Sequence, residues 1–168
     1  AQLNGIARYK RDERAFIFPN GSRIRLGYCD TENDIYQYQG QEYDVIGVEE
    51  CTHFTFTQIQ FLMTCNRTTR SDFKPRMYFT GNPGGVGHNW FKRLFVKGRY
   101  ESGEDPADYI FIPATIDDNT VLMKTNPEYV KVLDSLPEKL RQAHRFGNWD
   151  IFDEIGRASC RERVSRVV

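Results

Sequence analysis

The fold of this 168-residue chain is decided by the stretch YDVIGVEE, residues 43–50, in which an apolar run ends in two adjacent acids. A short run of β-branched residues is typical of a central parallel strand that is buried on both faces. Acids at its carboxyl end would project into the crevice where open α/β sheets bind ligands. The stretch therefore predicts a Walker-B-type strand, in which Glu49 serves the Mg²⁺ of a bound nucleotide and Glu50 activates the attacking water.

A second strand-to-turn segment, MYFTGNPGG at residues 77–85, follows the acid pair. In nucleotide-driven motors a polar side chain at the end of the strand beside Walker B senses the γ-phosphate, and Thr80 and Asn82 are placed for that role. An ordinary turn is the alternative, because Asn-Pro and Gly-Gly form turns on their own account. The acid pair has a similarly plain alternative, a strand that ends in two solvated acids.

Together with their surroundings, these segments resemble the ATPase domain of the large terminase subunit, the motor that packages DNA into the heads of tailed bacteriophages. The resemblance spans residues 16–153 and rests on several ordered matches. The most specific match is TGNPGGVGHNWFKR at residues 80–93. The others are YQGQEYD at 38–44, EECTHF at 49–54, ATIDDNT at 114–120, NPEY at 126–129 and FGNWD at 146–150.

The resemblance implies a role for each matching residue. Glu49 would serve the metal, Glu50 would be the catalytic base, and Thr80, Gly81 and Asn82 would form the coupling motif, with ATP and Mg²⁺ as the bound ligands. The implied fold is α/β, a partial RecA-like P-loop ATPase core of the additional-strand, conserved-glutamate type. Such a core has a mostly parallel sheet with flanking helices.

The family also implies parts that this sequence does not contain. No G-x-x-x-x-G-K-[ST] loop occurs, and the glycine-rich stretch 81–87 has no Lys-Ser or Lys-Thr after it, so it cannot cradle phosphates as a P-loop does. We therefore expect a chain truncated at both ends, without the P-loop strand and the nuclease domain. Residues 1–149 would be the C-terminal part of the ATPase domain, and residues 150–154 would begin the linker toward the nuclease domain.

Residues 155–168 differ from the rest in charge. They hold four arginines and one glutamate, net +3, which leaves 19 basic and 22 acidic side chains, net −3, in residues 1–154. A basic tail could contact DNA phosphates, but the resemblance breaks off after Glu154. We favour foreign translated sequence, such as an adapter or assembly scar, and treat the tail as non-native. Asp150, Asp153 and Glu154 suggest linker charge rather than a two-metal nuclease site, whose ligands come from separated elements.

The amino-acid composition narrows the possible classes of protein. The 39% apolar content suffices for the core of one domain, and no apolar run is long enough to span a membrane. The zero net charge argues against a strongly basic DNA-binding protein. The cysteines lack C-x-x-C spacing and the histidines are isolated, so we expect reduced thiols and no zinc site. These residues are Cys29, Cys51, Cys65 and Cys160, and His53, His88 and His144.

Local patterns predict the elements that carry these motifs. A β-hairpin with an Asn-Gly turn is expected over residues 15–27. Further strands are expected at 45–48, 76–80 and 109–113, and helices at 56–66 after an N-cap at Thr55, at 88–96, at 127–133 and at 137–146. Without the P-loop strand, one side of the Walker B strand would expose unpaired backbone groups and apolar surface, which predicts aggregation or partial disorder when the chain is expressed alone.

Two basic clusters are candidates for nucleic-acid contact, although solvated surface is the plain alternative for each. One lies before the strand predicted at residues 76–80 and the other follows that strand. The candidate contact residues are Arg67 and Arg70 in the first cluster and Lys92 and Arg93 in the second.

The implied function is ATP hydrolysis that drives double-stranded DNA into a procapsid. A ring of identical subunits would dock on the portal protein in the cytoplasm of the infected host, with the small terminase subunit as a partner and no membrane. The parent protein would also be a nuclease that cuts concatemeric DNA, and the fragment alone would be inactive. Another DNA-translocating ATPase such as a helicase, or a non-catalytic interaction or structural domain, is the alternative.

Overall fold

The computed structural model describes residues 5–152. The chain divides into two compact units, one ending at Gln39 and the other beginning at Gly40. The interpretations given above for Asp153, Glu154, Cys160 and the tail 155–168 lie outside the described residues.

The first unit is built on a three-stranded antiparallel sheet. The predicted hairpin is confirmed: Gly21 adopts a φ of 86°, and the Phe18 N–H donates to the Ser22 carbonyl at 2.9 Å. A strand that the sequence did not predict precedes the hairpin, and a 3-10 helix, Glu32–Tyr38, follows it. The strands are β1 (Arg8–Lys10), β2 (Ala15–Ile17) and β3 (Arg23–Arg25).

The second unit contains the two strands that carry the acid pair and the coupling segment. Strand β4 (Val45–Val48) pairs in parallel with β5 (Arg76–Phe79), with Val48 opposite Phe79. The predicted parallel pairing is confirmed, but within residues 5–152 this sheet has only two strands. Val45 is 47% exposed, so the expected burial of β4 on both faces is wrong. A strand is buried on both faces only when other elements pack on both faces of its sheet, and here Val45 and Gly47 stay exposed.

Helix α1 (Phe56–Cys65) joins the two parallel strands, which need a crossover connection of this kind. Its predicted N-cap is confirmed, because Thr55 and Gln58 form a reciprocal capping box. Ile59 is fully buried on its inner face. Just after the helix, the Asn66 side chain donates to the carbonyl oxygens of Tyr43, Asp44 and Arg76 at 3.1–3.3 Å, which fastens the helix to the start of both strands.

The predicted helix after the glycine-rich stretch has two parts. Helix α2 (His88–Phe91) continues directly into a π-helical turn, Lys92–Val96. Trp90, Phe91 and Leu94 are at most 8% exposed. The aromatic stripe of this helix is therefore part of the core.

The predicted strand at residues 109–113 is wrong, because the structure has no strand there. Its alternating pattern is nonetheless real: Ile110 and Ile112 are 77% and 81% exposed, whereas Phe111 packs edge-on against Phe91 at 6.1 Å. Alternation sets which side chains point inward, but a strand also needs a neighbouring backbone, and no described strand pairs with this segment.

Three short helices close the described part of the chain. The predictions at 127–133 and 137–146 are confirmed within a few residues, whereas the helix before them was not predicted. The Asn119 side chain caps that helix by accepting the Leu122 N–H at 3.0 Å. Gly147, with a φ of 61°, ends the last helix as expected. The helices are α3 (Thr120–Thr125), α4 (Glu128–Asp134) and α5 (Glu138–His144).

Candidate active site

The acid pair lies where the backbone leaves the parallel sheet. Val48, the last residue of β4, is buried, while Glu49 and Glu50 are exposed. Glu50 has φ 49° and ψ 48°, a left-handed conformation that non-glycine residues rarely adopt. It begins a short 3-10 helix, Cys51–His53. Backbone strain at an exposed acid is a common feature of functional sites.

Thr80 joins the end of β5 to the backbone of the acid pair. Its N–H donates to the Val48 carbonyl at 3.1 Å, and its own carbonyl accepts the Cys51 N–H at 2.8 Å. Its side-chain Oγ1 accepts the Glu50 N–H at 3.3 Å. Two residues that the sequence assigned to different tasks, Glu50 and Thr80, are therefore in direct contact.

The glycines after Thr80 allow two backbones to approach closely. A Cβ at Gly85 would lie 2.4 Å from the Thr52 carbonyl oxygen, and one at Gly87 would lie 2.4 Å from that of Phe54. The Gly87 N–H also donates to the Thr52 carbonyl at 2.7 Å. Only glycine fits such contacts. The sequence predicted a coupling motif or an ordinary turn for this stretch and not its packing against the segment after the acids, although the repeated glycines were a signal.

Cys51, directly after the acid pair, is not a reactive thiol. It is fully buried, and burial, followed by the negative charge of Glu50, raises the pKa of its thiol to about 12. The thiolate is the nucleophilic form of cysteine, so a protonated thiol at neutral pH is inert.

The oxygen donors at the site fit a magnesium ion held together with a nucleotide. Glu49, Glu50, Thr80 and Asn82 are all exposed, and carboxylate, hydroxyl and amide oxygens are the hard ligands that Mg²⁺ accepts. Among the described residues no group of three or more acids, histidines and cysteines could hold a metal by itself.

The candidate nucleic-acid residues before β5 remain on the surface. Arg67 pairs with Glu42 at 3.4 Å, and its side chain is 55% exposed. Arg70 binds Asp72 through two hydrogen bonds of 3.1 and 2.8 Å and is 58% exposed. Exposed ion pairs of this kind are weak and exchange partners readily. DNA contact by Arg67 and Arg70 stays a prediction.

The candidates after β5 are more enclosed. The Lys92 side chain is 9% exposed and pairs with Asp150 at 2.8 Å. Arg93 is 21% exposed and binds Glu104 through bonds of 2.7 and 2.9 Å. Both side chains form ion pairs within the chain, so any contact of Lys92 or Arg93 with DNA would compete with these ion pairs. Their role in DNA contact likewise stays a prediction.

One of the comparisons with known proteins identifies a family. A family model for the phage terminase large subunit matches residues 2–146. No curated protein sequence matches the chain. A structure of the large terminase from a thermophilic bacteriophage in complex with ADP matches with a TM-score of 0.59 at 20% identity, over 92% of this chain and 38% of that one. The likeness shows an α/β fold with a small parallel sheet and helices, and this chain spans well under half of that terminase.

The length and composition of the described helices are relevant to the prediction that no segment of the chain spans a membrane. None of them, within residues 5–152, has both the length and the apolar character that crossing a bilayer requires.

Proposed function

The chain belongs to the phage terminase large subunit family, and from this premise we propose that it is part of a DNA-packaging motor that hydrolyses ATP to move double-stranded DNA into a procapsid. The observation that carries the proposal is the contact between Glu50 and Thr80 at the carboxyl ends of two paired parallel strands. Ligands of open α/β sheets bind at this edge. The structure of the thermophilic phage terminase, which shares the fold, contains bound ADP. This supports nucleotide binding by the present chain.

In the proposed reaction Glu50 is the general base. Its exposed carboxylate accepts a proton from the water that attacks the γ-phosphate, and its backbone is left-handed just after the end of β4. Glu49 would hold the Mg²⁺ that accompanies the nucleotide, directly or through water. When bound, Mg²⁺ neutralises charge that develops on the phosphates.

Thr80 would link the presence of the γ-phosphate to the position of Glu50. A hydroxyl accepts with its lone pairs and donates with its proton, so Oγ1 can accept the Glu50 N–H and donate to a phosphate oxygen at the same time. Loss of the γ-phosphate would free that proton and loosen the position of Glu50. Gly81 and Asn82 then carry the change into the loop that packs on residues 51–54.

The remaining parts of the proposal rest on the family. A P-loop elsewhere in the complete protein would hold the nucleotide phosphates, and a nuclease domain would cut concatemeric DNA. Identical subunits would form a ring on the portal protein, in the cytoplasm of the infected host and with the small terminase subunit as a partner. Arg67, Arg70, Lys92 and Arg93 are the candidate DNA contacts.

The decisive experiment replaces the proposed base in a full-length terminase large subunit that contains this chain. Glu50→Gln should leave ATP binding intact and lower turnover by at least about 100-fold, because general-base catalysis contributes about 10²–10⁴. Glu128→Gln, at an exposed glutamate on α4, is the control and should behave as wild type. Unchanged turnover in Glu50→Gln would refute its assignment, and the absence of Mg²⁺-dependent nucleotide affinity in the wild type would refute the function.

A further inference from the structure

The glycine-rich loop, residues 81–87, is attached to His88 at the start of α2. The Gly84 N–H donates to His88 Nδ1 at 3.1 Å. His88 is only 3% exposed, so its ring lies inside the unit and not on its surface. A hydrogen bond in such a place is shielded from competition with water.

The same ring also contacts the end of the described chain, here called the exit segment, residues 149–152. The Trp149 ring stacks on His88 with centroids 5.4 Å apart and an interplanar angle of 20°. The Phe152 ring meets His88 edge-on at 5.6 Å. A methyl group built at Gly84 would lie 3.5 Å from the Phe152 ring, so the loop itself also approaches the exit segment.

Further contacts hold the exit segment to the helix that His88 begins. Trp149 is 8% exposed and stacks on Phe91 at 4.7 Å and 15°. The carboxylate of Asp150 is bound by Lys92 at 2.8 Å and by Lys97 at 3.0 Å, and these two lysines lower its pKa to about 2. The exit segment is therefore docked through consecutive aromatic and ionic contacts, and the His88 ring both accepts the Gly84 N–H of the loop and stacks on Trp149.

We propose that His88 is a positioning residue that links the glycine-rich loop to the exit segment, so that the exit segment follows the loop when the nucleotide state changes. The inference rests on the proposed function, because it assigns the output side of the same coupling loop. A packed contact of this kind moves as a unit, since close-packed rings transmit displacement instead of absorbing it.

Two variants of His88 in the full-length protein test its two contacts separately, the hydrogen bond to the loop and the stack on Trp149. His88→Asn retains an acceptor for the Gly84 N–H but loses the ring that stacks on Trp149. His88→Phe retains a ring but loses the acceptor. Both should keep ATP turnover near that of wild type and lower the length of DNA packaged per ATP by about two- to thirtyfold, the range of coupling changes measured along packed networks. His144→Asn, at an exposed histidine, is the control.

Hydrogen exchange of residues 81–87 in the same protein provides a readout that does not depend on activity. Trp149→Leu, and the milder Trp149→Phe if the first does not fold, should speed exchange of the Gly84 amide, because the His88 ring loses the stack that holds it. Unchanged exchange, or an unchanged yield of packaged DNA per ATP in both His88 variants, would overturn the inference. A parallel fall of ATP turnover and packaging would also overturn it. A wild-type protein without ATP turnover would refute the proposed function alone.

Discussion

At the scale of single residues, Glu50 combines an exposed carboxylate with a left-handed backbone. Such a conformation costs free energy for any residue with a Cβ and persists only when surrounding contacts enforce it. Here the contacts come from Thr80, which accepts the Glu50 N–H through its side chain and the Cys51 N–H through its carbonyl. The position of the acid thus depends on a residue thirty positions later in the chain.

Thr80→Val tests this dependence in the full-length protein. Valine keeps the shape of threonine but cannot accept the Glu50 N–H, and one such hydrogen bond contributes about 0.5–1.5 kcal/mol, so we expect turnover to fall roughly two- to tenfold. Thr80→Ser retains the hydroxyl and is the matched control. Steady-state ATPase kinetics make the comparison, and equal rates for valine and serine would show that the hydroxyl does not matter.

Gly85→Ala tests the close approach of the loop to the segment after the acids. Gly85 has a φ of 76°, and an added Cβ would lie 2.4 Å from the Thr52 carbonyl oxygen. We expect the free energy of unfolding to fall by about 2–5 kcal/mol, from left-handed strain and overpacking together.

Gly103→Ala isolates the contribution of left-handed strain. Gly103 has a φ of 93°, and no atom lies within 4 Å of an added Cβ. Its cost should be the left-handed strain alone, about 1–2 kcal/mol. Denaturant unfolding of both variants gives the two values. Equal losses would mean that the packing of Gly85 on Thr52 does not contribute to stability.

At the scale of elements, an ion pair fastens the π-helical turn to the loop that follows it. Arg93 donates two hydrogen bonds to Glu104, and the Glu101 N–H donates a third at 2.7 Å. The bonds from Arg93, and then that from Glu101, lower the pKa of Glu104 from 4.5 to about 2. The pKa is lower in the folded protein than in the unfolded one. The stabilisation is therefore complete above about pH 4.5 and is lost as the pH falls toward 2.

Glu104→Gln should consequently lower the free energy of unfolding at pH 6, and the difference from wild type should shrink by pH 3. Urea unfolding at both pH values measures it. Glu128→Gln removes an exposed ion pair with Lys131 on α4 and should change little at either pH, since such pairs contribute little. A difference between Glu104→Gln and wild type that stays constant with pH would contradict the assignment.

At the scale of the whole molecule, the proposed function assigns to this chain only the acid-bearing half of a nucleotide site. The chain contains no loop with the P-loop pattern, and phosphates need such a cradle of backbone N–H groups. We expect the 168-residue chain alone to show no ATP turnover above background, in contrast to a full-length large subunit. A coupled phosphate-release assay compares the two. Turnover by the chain alone that Glu50→Gln abolishes would show that the site is complete without a P-loop.

Local patterns predicted those elements whose signals lie within a few residues of each other. The Asn-Gly hairpin, the Thr55 cap and the stop at Gly147 all follow from such signals, and the structure contains each of them. The segment 109–113 marks the limit of this approach. Its alternation was detected correctly, but strand formation depends on a second backbone that no local pattern specifies.

The sequence by itself determined the family and the candidate residues, because an acid pair after an apolar run and a glycine-rich turn are contiguous motifs. Only the tertiary structure decided how those motifs meet. Thr80 supports the Glu50 backbone, Gly85 packs on Thr52, and His88 lies between the loop and Trp149. These pairs are separated by 30 to 61 positions. Contacts at that separation arise from how the elements pack, and the identity of a residue does not state which distant backbone it will touch.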